Sequence, residues 1–340
     1  MNCGSDLLFG FITMVQQPCA EVFGIVSTRA LYQQPNQGLY KGIQMTQSRL
    51  GIRMLGSKTM VRFAMNGVRS AGQSSYMGID GESLLWQIQL AEMNYILQHD
   101  EHQLRFSSGI NEDFWVKRNN ETWQLREIAW GIAEQQKSQS RSDTGLSLLY
   151  SHTWIQAGIR ISSGEGMRRY ERNTGLNTEG LFSVVTSAIQ FDIYAREGSM
   201  GPSFSKNHRL GSRLLYTFKD MKVGMEVIKN YGIDGDGTRS PLYGSFFSSY
   251  QPSHKTIWAY GRWDMLRENV DATGQNIYLG IGIPLDSDMS SISSRLWLGW
   301  EGNRRTEQLS LYAGQGILQS NNTFFFQFTG NISTKLQELQ

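Results

Sequence analysis

Residues 48–66 read SRLGIRMLGSKTMVRFAMN. In an extended chain Leu50, Ile52 and Met54 fall on one face and Arg49, Gly51 and Arg53 on the other, because successive strand side chains point to opposite sides. After Gly56-Ser57-Lys58 the alternation resumes, with Val61, Phe63 and Met65 opposite Arg62, Ala64 and Asn66. Two alternating runs around so short a polar link predict a β-hairpin.

The same pattern repeats along the chain. Runs 84–97 and 102–108 flank His99-Asp100-Glu101, and runs 144–150 and 153–162 flank Ser151-His152. Runs 209–218 and 221–228 flank Lys219-Asp220, and runs 242–250 and 255–265 flank 251–254. Further strands are expected at 275–285, 293–300, 307–314 and 323–333, with weaker alternation at 22–32, 122–133 and 181–195. The total is about 16 strands (14–18), each near the length that crosses a bilayer when tilted. Short links alternate with long polar ones at 67–82, 109–121, 163–180, 197–207 and 229–241. That inequality of loop length belongs to outer-membrane barrels, not to soluble sandwiches.

Composition agrees with this reading. The chain has 340 residues, with 36 Gly, 9 Trp, 14 Tyr and 16 Phe, and carries a net charge of +2. Its mean hydropathy is −0.38. No apolar run is long enough for a membrane-spanning helix, but barrel strands alternate and average to a polar composition. The small net charge argues against a nucleic-acid partner, and two cysteines exclude a disulfide scaffold. Trp, Tyr or Phe stands near the end of many strands, among them Tyr95, Phe106, Trp123, Trp130, Trp154, Tyr194, Tyr216, Tyr243, Tyr260, Trp263, Tyr278, Trp297 and Tyr312. Such residues are expected where the wall meets lipid headgroups.

The other face repeats arginine: Arg49, Arg53, Arg62, Arg105, Arg160, Arg213 and Arg262. One charge facing lipid at the midplane costs about 2–4 kcal/mol, so these side chains are expected to line a hydrated interior. About 16 strands leave room for an aqueous channel. The fold expected is an all-β transmembrane antiparallel barrel.

Several segments resemble a known family. EVFGIVSTRALY (21–32), YKGIQMTQSRLGIRM (40–54), GSKTMVRFAMNGV (56–68) and WQIQLAEMNYILQHDEHQLRFSSG (86–109) resemble the opening of Gram-negative porins, and 258–300 resembles their last third, including the phosphate-selective type. The resemblance implies a 16-stranded barrel in the outer membrane that is usually trimeric and passes small hydrophilic solutes by diffusion. It further implies a constriction loop after the fifth strand. The matching segment is 109–121, with Glu112, Asp113, Lys117 and Arg118, opposed by Arg49, Arg53 and Arg62. Members of that family generally end on an aromatic residue, whereas this chain runs past TFFFQFTGNIS into TKLQELQ. The domain plan expected is a signal peptide at 1–20 around the apolar run LLFGFITMV (7–15), a barrel at 21–333 and an extension at 334–340.

Pore-lining arginines outnumber the loop acids, so a weak anion preference is expected. The alternative is a non-conducting barrel that binds through its long loops as a receptor, adhesin or structural protein. No cofactor, metal or enzymatic activity is implied. His99 and His102 sit at a hairpin tip where their imidazoles do not converge on a metal. Asp234-Gly235-Asp236-Gly237 lacks the glutamate of an EF-hand, since position 12 is Ser245. None of the five histidines has a nearby serine in a recognisable nucleophile motif.

Overall fold

The computed structural model describes residues 19–35, 40–70, 83–123, 125, 128–129, 131–132, 142–163, 175–200, 205–232, 237–252, 257–268, 272–285, 292–306 and 320–336. Sixteen strands form one closed antiparallel barrel. In chain order they begin with β1 (Cys19–Pro35), β2 (Tyr40–Leu55), β3 (Thr59–Ser70), β4 (Ser83–His99) and β5 (His102–Glu112). After helix α1 (Phe114–Trp123) come β6 (Ser142–Ser151), β7 (Ile155–Ser162), β8 (Asn177–Val185) and β9 (Ile189–Glu197). A separate two-stranded ribbon, β10 (Ser199–Met200) and β11 (Ser205–Lys206), precedes β12 (His208–Phe218) and β13 (Met221–Tyr231). The wall ends with β14 (Leu242–Tyr250), β15 (Trp258–Arg267), β16 (Thr273–Pro284), β17 (Ile292–Arg305) and β18 (Ser320–Leu336). Each strand pairs with its neighbour, β9 pairs with β12, and β1 closes the ring on β18 from Ala20↔Leu336 to Pro35↔Asn321. Closure leaves no free edge where the strands overlap, so backbone donors and acceptors there pair from strand to strand.

The hairpin at 48–66 forms as expected, with Arg53 paired to Arg62 and Leu50 to Met65. Leu50, Ile52 and Met54 are 46, 43 and 49% exposed on the outer face. The same holds around the ring: on β9, Ile189, Phe191 and Ile193 are exposed while Gln190, Asp192 and Tyr194 are buried. An outer surface this apolar has a favourable environment only in hydrocarbon. Among the described residues no helix is long and apolar enough to cross a membrane.

Connections sort by end. One end carries the links at 56–58, 100–101, 152–154, 186–188, 219–220, 251–257 and 285–291. Asp100 and Lys219 take the left-handed backbone, φ 52° and 51°, that two-residue hairpin turns require. The opposite end carries the longest connections, 71–82, 113–141, 163–176 and 306–319, together with short ones at 36–39 and 268–272.

Two strand expectations need revision. The described residues of 122–133 form no strand: Thr122 and Trp123 end α1, and those beyond them lie in the segment joining β5 to β6. One connection, 113–141, therefore joins β5 to β6. Residues 181–195 are two strands, β8 and β9, joined at 186–188. The strand expected at 307–314 and residues 1–18, 233–236, 337–340, Trp130 and Tyr312 lie outside the described residues. β1 begins at Cys19 and β18 continues to Leu336, so both expected barrel boundaries fall within paired strands.

Candidate functional site: the inward segment and the lumen

β5 leads into the barrel interior. Gly109, at φ 109°, approaches the backbone of Ala91 on β4 too closely for any side chain. Asp113 then caps α1, its Oδ1 accepting from the amides of Trp115 (2.8 Å) and Val116 (3.1 Å). The sequence FWVKRNNETW has no sustained helical period, and tertiary contacts define the helix.

Those contacts all reach the inner wall. Phe114, Trp115 and Ile132 join Leu181, Tyr194, Ile228, Tyr243 and Leu266 in one apolar cluster. Trp123, Leu125, Ile128 and Ala129 join Leu215, Phe247, Tyr260, Tyr278, Trp297 and Phe325 in a second. The segment is therefore a partial plug resting on β8–β18. This changes the reading of the aromatics. Tyr95, Phe106, Trp154, Tyr216 and Trp263 do face outward and are exposed, but Trp123, Tyr194, Tyr243, Tyr260, Tyr278 and Trp297 are lumenal and buried.

Charge pairing reinforces the contact. One inner row runs Gln156, Ser183, Asp192, Arg213, Glu226, Ser245, Asp264 and Asn276 across consecutive strands. Arg213 holds Asp192 at 3.0 Å and donates to Asn119 and Thr122 of α1 at 3.1 and 3.2 Å. Its guanidinium also lies over the Trp115 ring, 4.5 Å from the centroid. Arg262 pairs with Asp264 at 2.7 Å beneath Trp123. A second row places Arg160, Glu179 and Arg196 side by side. Arg160 and Arg196 share Glu179 at 2.6 and 3.4 Å, and Arg196 reaches Asp113 at 3.6 Å. Across the seam, Arg29 donates to Gln327 (2.7 Å) and to the Ile128 carbonyl (2.9 Å).

Arg160, Arg213 and Arg262 thus point inward, as the alternation implies, yet their side chains are 0–1% exposed under the plug. The more accessible inward charges lie elsewhere. Arg53 and Arg62 retain 20 and 21% exposure, and Arg49, Arg105, Glu112 and Lys117 are half-buried. Arg62 bridges Glu92 (3.1 Å) and Glu112 (2.9 Å), and Arg53 Nε donates to Glu21 at 2.9 Å. Arg118, itself buried, pairs with Glu121 at 2.9 Å and donates to Gln156. Burial lowers the Lys117 ammonium to about 8, and the neighbouring Arg105 guanidinium acts in the same direction.

The structure therefore brings Arg49, Arg53, Arg62, Arg105, Glu112 and Lys117 to one side of the lumen, between α1 and strands β2–β5, and turns Arg118 to Gln156 on β7. It places Asp113 elsewhere, in the anchor at the start of α1. Glu21, Glu92 and Glu121 join these charges, beyond the residues that the sequence singles out. The inward parity of β1 and β4 marks the first two, while Glu121 depends on the helix.

No protein-family model matches the chain, and no curated protein matches its sequence. Solved structures do match. The anion-selective porin from Comamonas acidovorans superposes with a TM-score of 0.62 at 11% identity, covering 94% of this chain and 100% of that one. The fold is that of the bacterial outer-membrane porins. OmpF of Salmonella typhi, solved with daunomycin, shares this porin fold with a TM-score of 0.64 at 8% identity, covering 91% of this chain and 97% of that one. The trimer form of OmpT from Vibrio cholerae matches with a TM-score of 0.59 at 12% identity, over 93% of this chain and 99% of that one.

Proposed function

We propose that the protein is an outer-membrane diffusion channel for small hydrophilic solutes, with a weak preference for anions. The observation that carries this reading is the charge of the open side of the lumen. Five cations, Arg49, Arg53, Arg62, Arg105 and Lys117, stand against three acids, Glu21, Glu92 and Glu112, while the buried Arg118 is paired with Glu121. A ring with surplus cations lowers the barrier for anions. The apolar outer wall supports residence in a bilayer, and the anion-selective Comamonas porin shares the fold. Export through a signal preceding β1 and assembly as a homotrimer belong to the same reading. A trimer form is described for the Vibrio barrel.

A second reading, a non-conducting barrel, draws on the plug that seals the wall from β8 to β18. Planar-bilayer recording separates the two. A channel gives stable conductance steps whose reversal potential in a salt gradient has the sign of anion flow, and a sealed barrel gives no steps.

A further inference from the structure

We propose that the outer wall binds one anionic lipid from the leaflet on the long-loop side, with an acyl chain between β1 and β16–β18 and a phosphate on Arg304. The proposal rests on the membrane reading of the wall. A groove of about 620 Å³ lies there, flanked by Tyr32, Leu279, Leu298, Trp300, Phe324 and Phe326. Ala30 on β1 and the wall at Gly280 and Gly299 complete it. Towards the loops a second hollow, about 470 Å³, shares Trp300 and is lined by Gln275, Asn303, Arg304 and Asn322. The Trp300 ring lies against Gly302, where an added Cβ would come within 2.6 Å of it. The missing side chain therefore makes room for the ring between the two hollows.

The order of these hollows matches that of a lipid. β17 runs from Ile292 at the short-turn end to Arg305 at the loop end, so the polar hollow sits nearer the loops and the apolar groove nearer the bilayer centre. Arg304 is exposed, and its side chain makes no hydrogen bond or ion pair among the described residues. Gln275 accepts from Trp263 at 3.2 Å through its amide oxygen, and its amide nitrogen has no partner among the described residues. A guanidinium without a partner among the described residues, beside side-chain amides, matches a phosphate, which accepts several hydrogen bonds at once. A second copy of the chain fits less well. Covering this wall with another apolar wall would desolvate Arg304 with no acid to meet it.

The test is native mass spectrometry of the full chain folded in detergent micelles, with dioleoylphosphatidylglycerol and dioleoylphosphatidylcholine added at equal concentration. The wild type is expected to retain one phosphatidylglycerol in preference to phosphatidylcholine by about fivefold, the worth of one interfacial arginine. Arg304→Gln brings that ratio close to unity. Ala30→Trp fills the groove and removes both adducts while the barrel keeps its heat-modifiable gel mobility. Equal retention of the two lipids by the wild type, or an undiminished preference in Arg304→Gln, overturns the proposal. So does a lipid-free oligomer that Ala30→Trp dissociates, because a second copy then occupies the groove. Failure of the wild type to fold in any micelle defeats the membrane reading itself.

Discussion

Arg213 on β12 donates to Asn119 on α1 at 3.1 Å while its Nε holds Asp192 of β9 at 3.0 Å. One buried guanidinium thus joins the wall to the segment that narrows the lumen. Replacing Arg213 with Ala leaves Asp192 without its cation, a loss worth about 3–5 kcal/mol for a buried pair. The variant should unfold at lower temperature and show a larger, noisier conductance, because α1 loses its central tether. An unchanged melting temperature with unchanged conductance contradicts that role.

Asp113 anchors the start of the same helix. Asp113→Ala removes the cap on Trp115 and Val116, worth about 1 kcal/mol, and also the acid facing Arg196. Hydrogen exchange of the 115–117 amides should quicken. Asp113→Asn retains a capping oxygen and should stay closer to the wild type.

The inner and outer faces of the wall differ residue by residue. Leu214 is 41% exposed on the outside, whereas Leu215 is 4% exposed in the lumen. Leu214→Arg near the middle of β12 should cost about 2–4 kcal/mol of stability in a bilayer. Unfolding titrations in vesicles read this directly, and a cost near zero would place that face in water.

The pH dependence of selectivity should follow Lys117. Its pKa, lowered to about 8, leaves the ammonium charged below that pH and neutral above it. Anion preference should therefore be greatest at pH 6–7 and decline as pH rises through about 8. Lys117→Gln should start lower and stay flat across that range.

The barrel is legible in the sequence because alternation is local. Leu50, Ile52 and Met54 announce an outer face without knowledge of any partner strand. The plug is not legible in this way. FWVKRNNETW becomes helical because Phe114, Trp115 and Trp123 find inner-wall partners remote in sequence, such as Tyr194 and Phe247. The aromatic list shows the same limit: Trp123 and Trp263 look alike in sequence, and only the path of the chain sends one into the lumen and the other to lipid. The arginines divide for a related reason. Arg49 and Arg160 share one parity, but register sets Glu179 beside Arg160 and the plug covers both.

The proposed water path between α1 and the β2–β5 wall is tested most directly by reversal potential. Single channels of the wild type and of Arg105→Glu should be recorded in a tenfold KCl gradient. The proposed function predicts stable steps with chloride preferred in the wild type, and a shift of the potential towards potassium in the variant. Cation selectivity in the wild type, an unmoved potential in Arg105→Glu, or the absence of steps would contradict it.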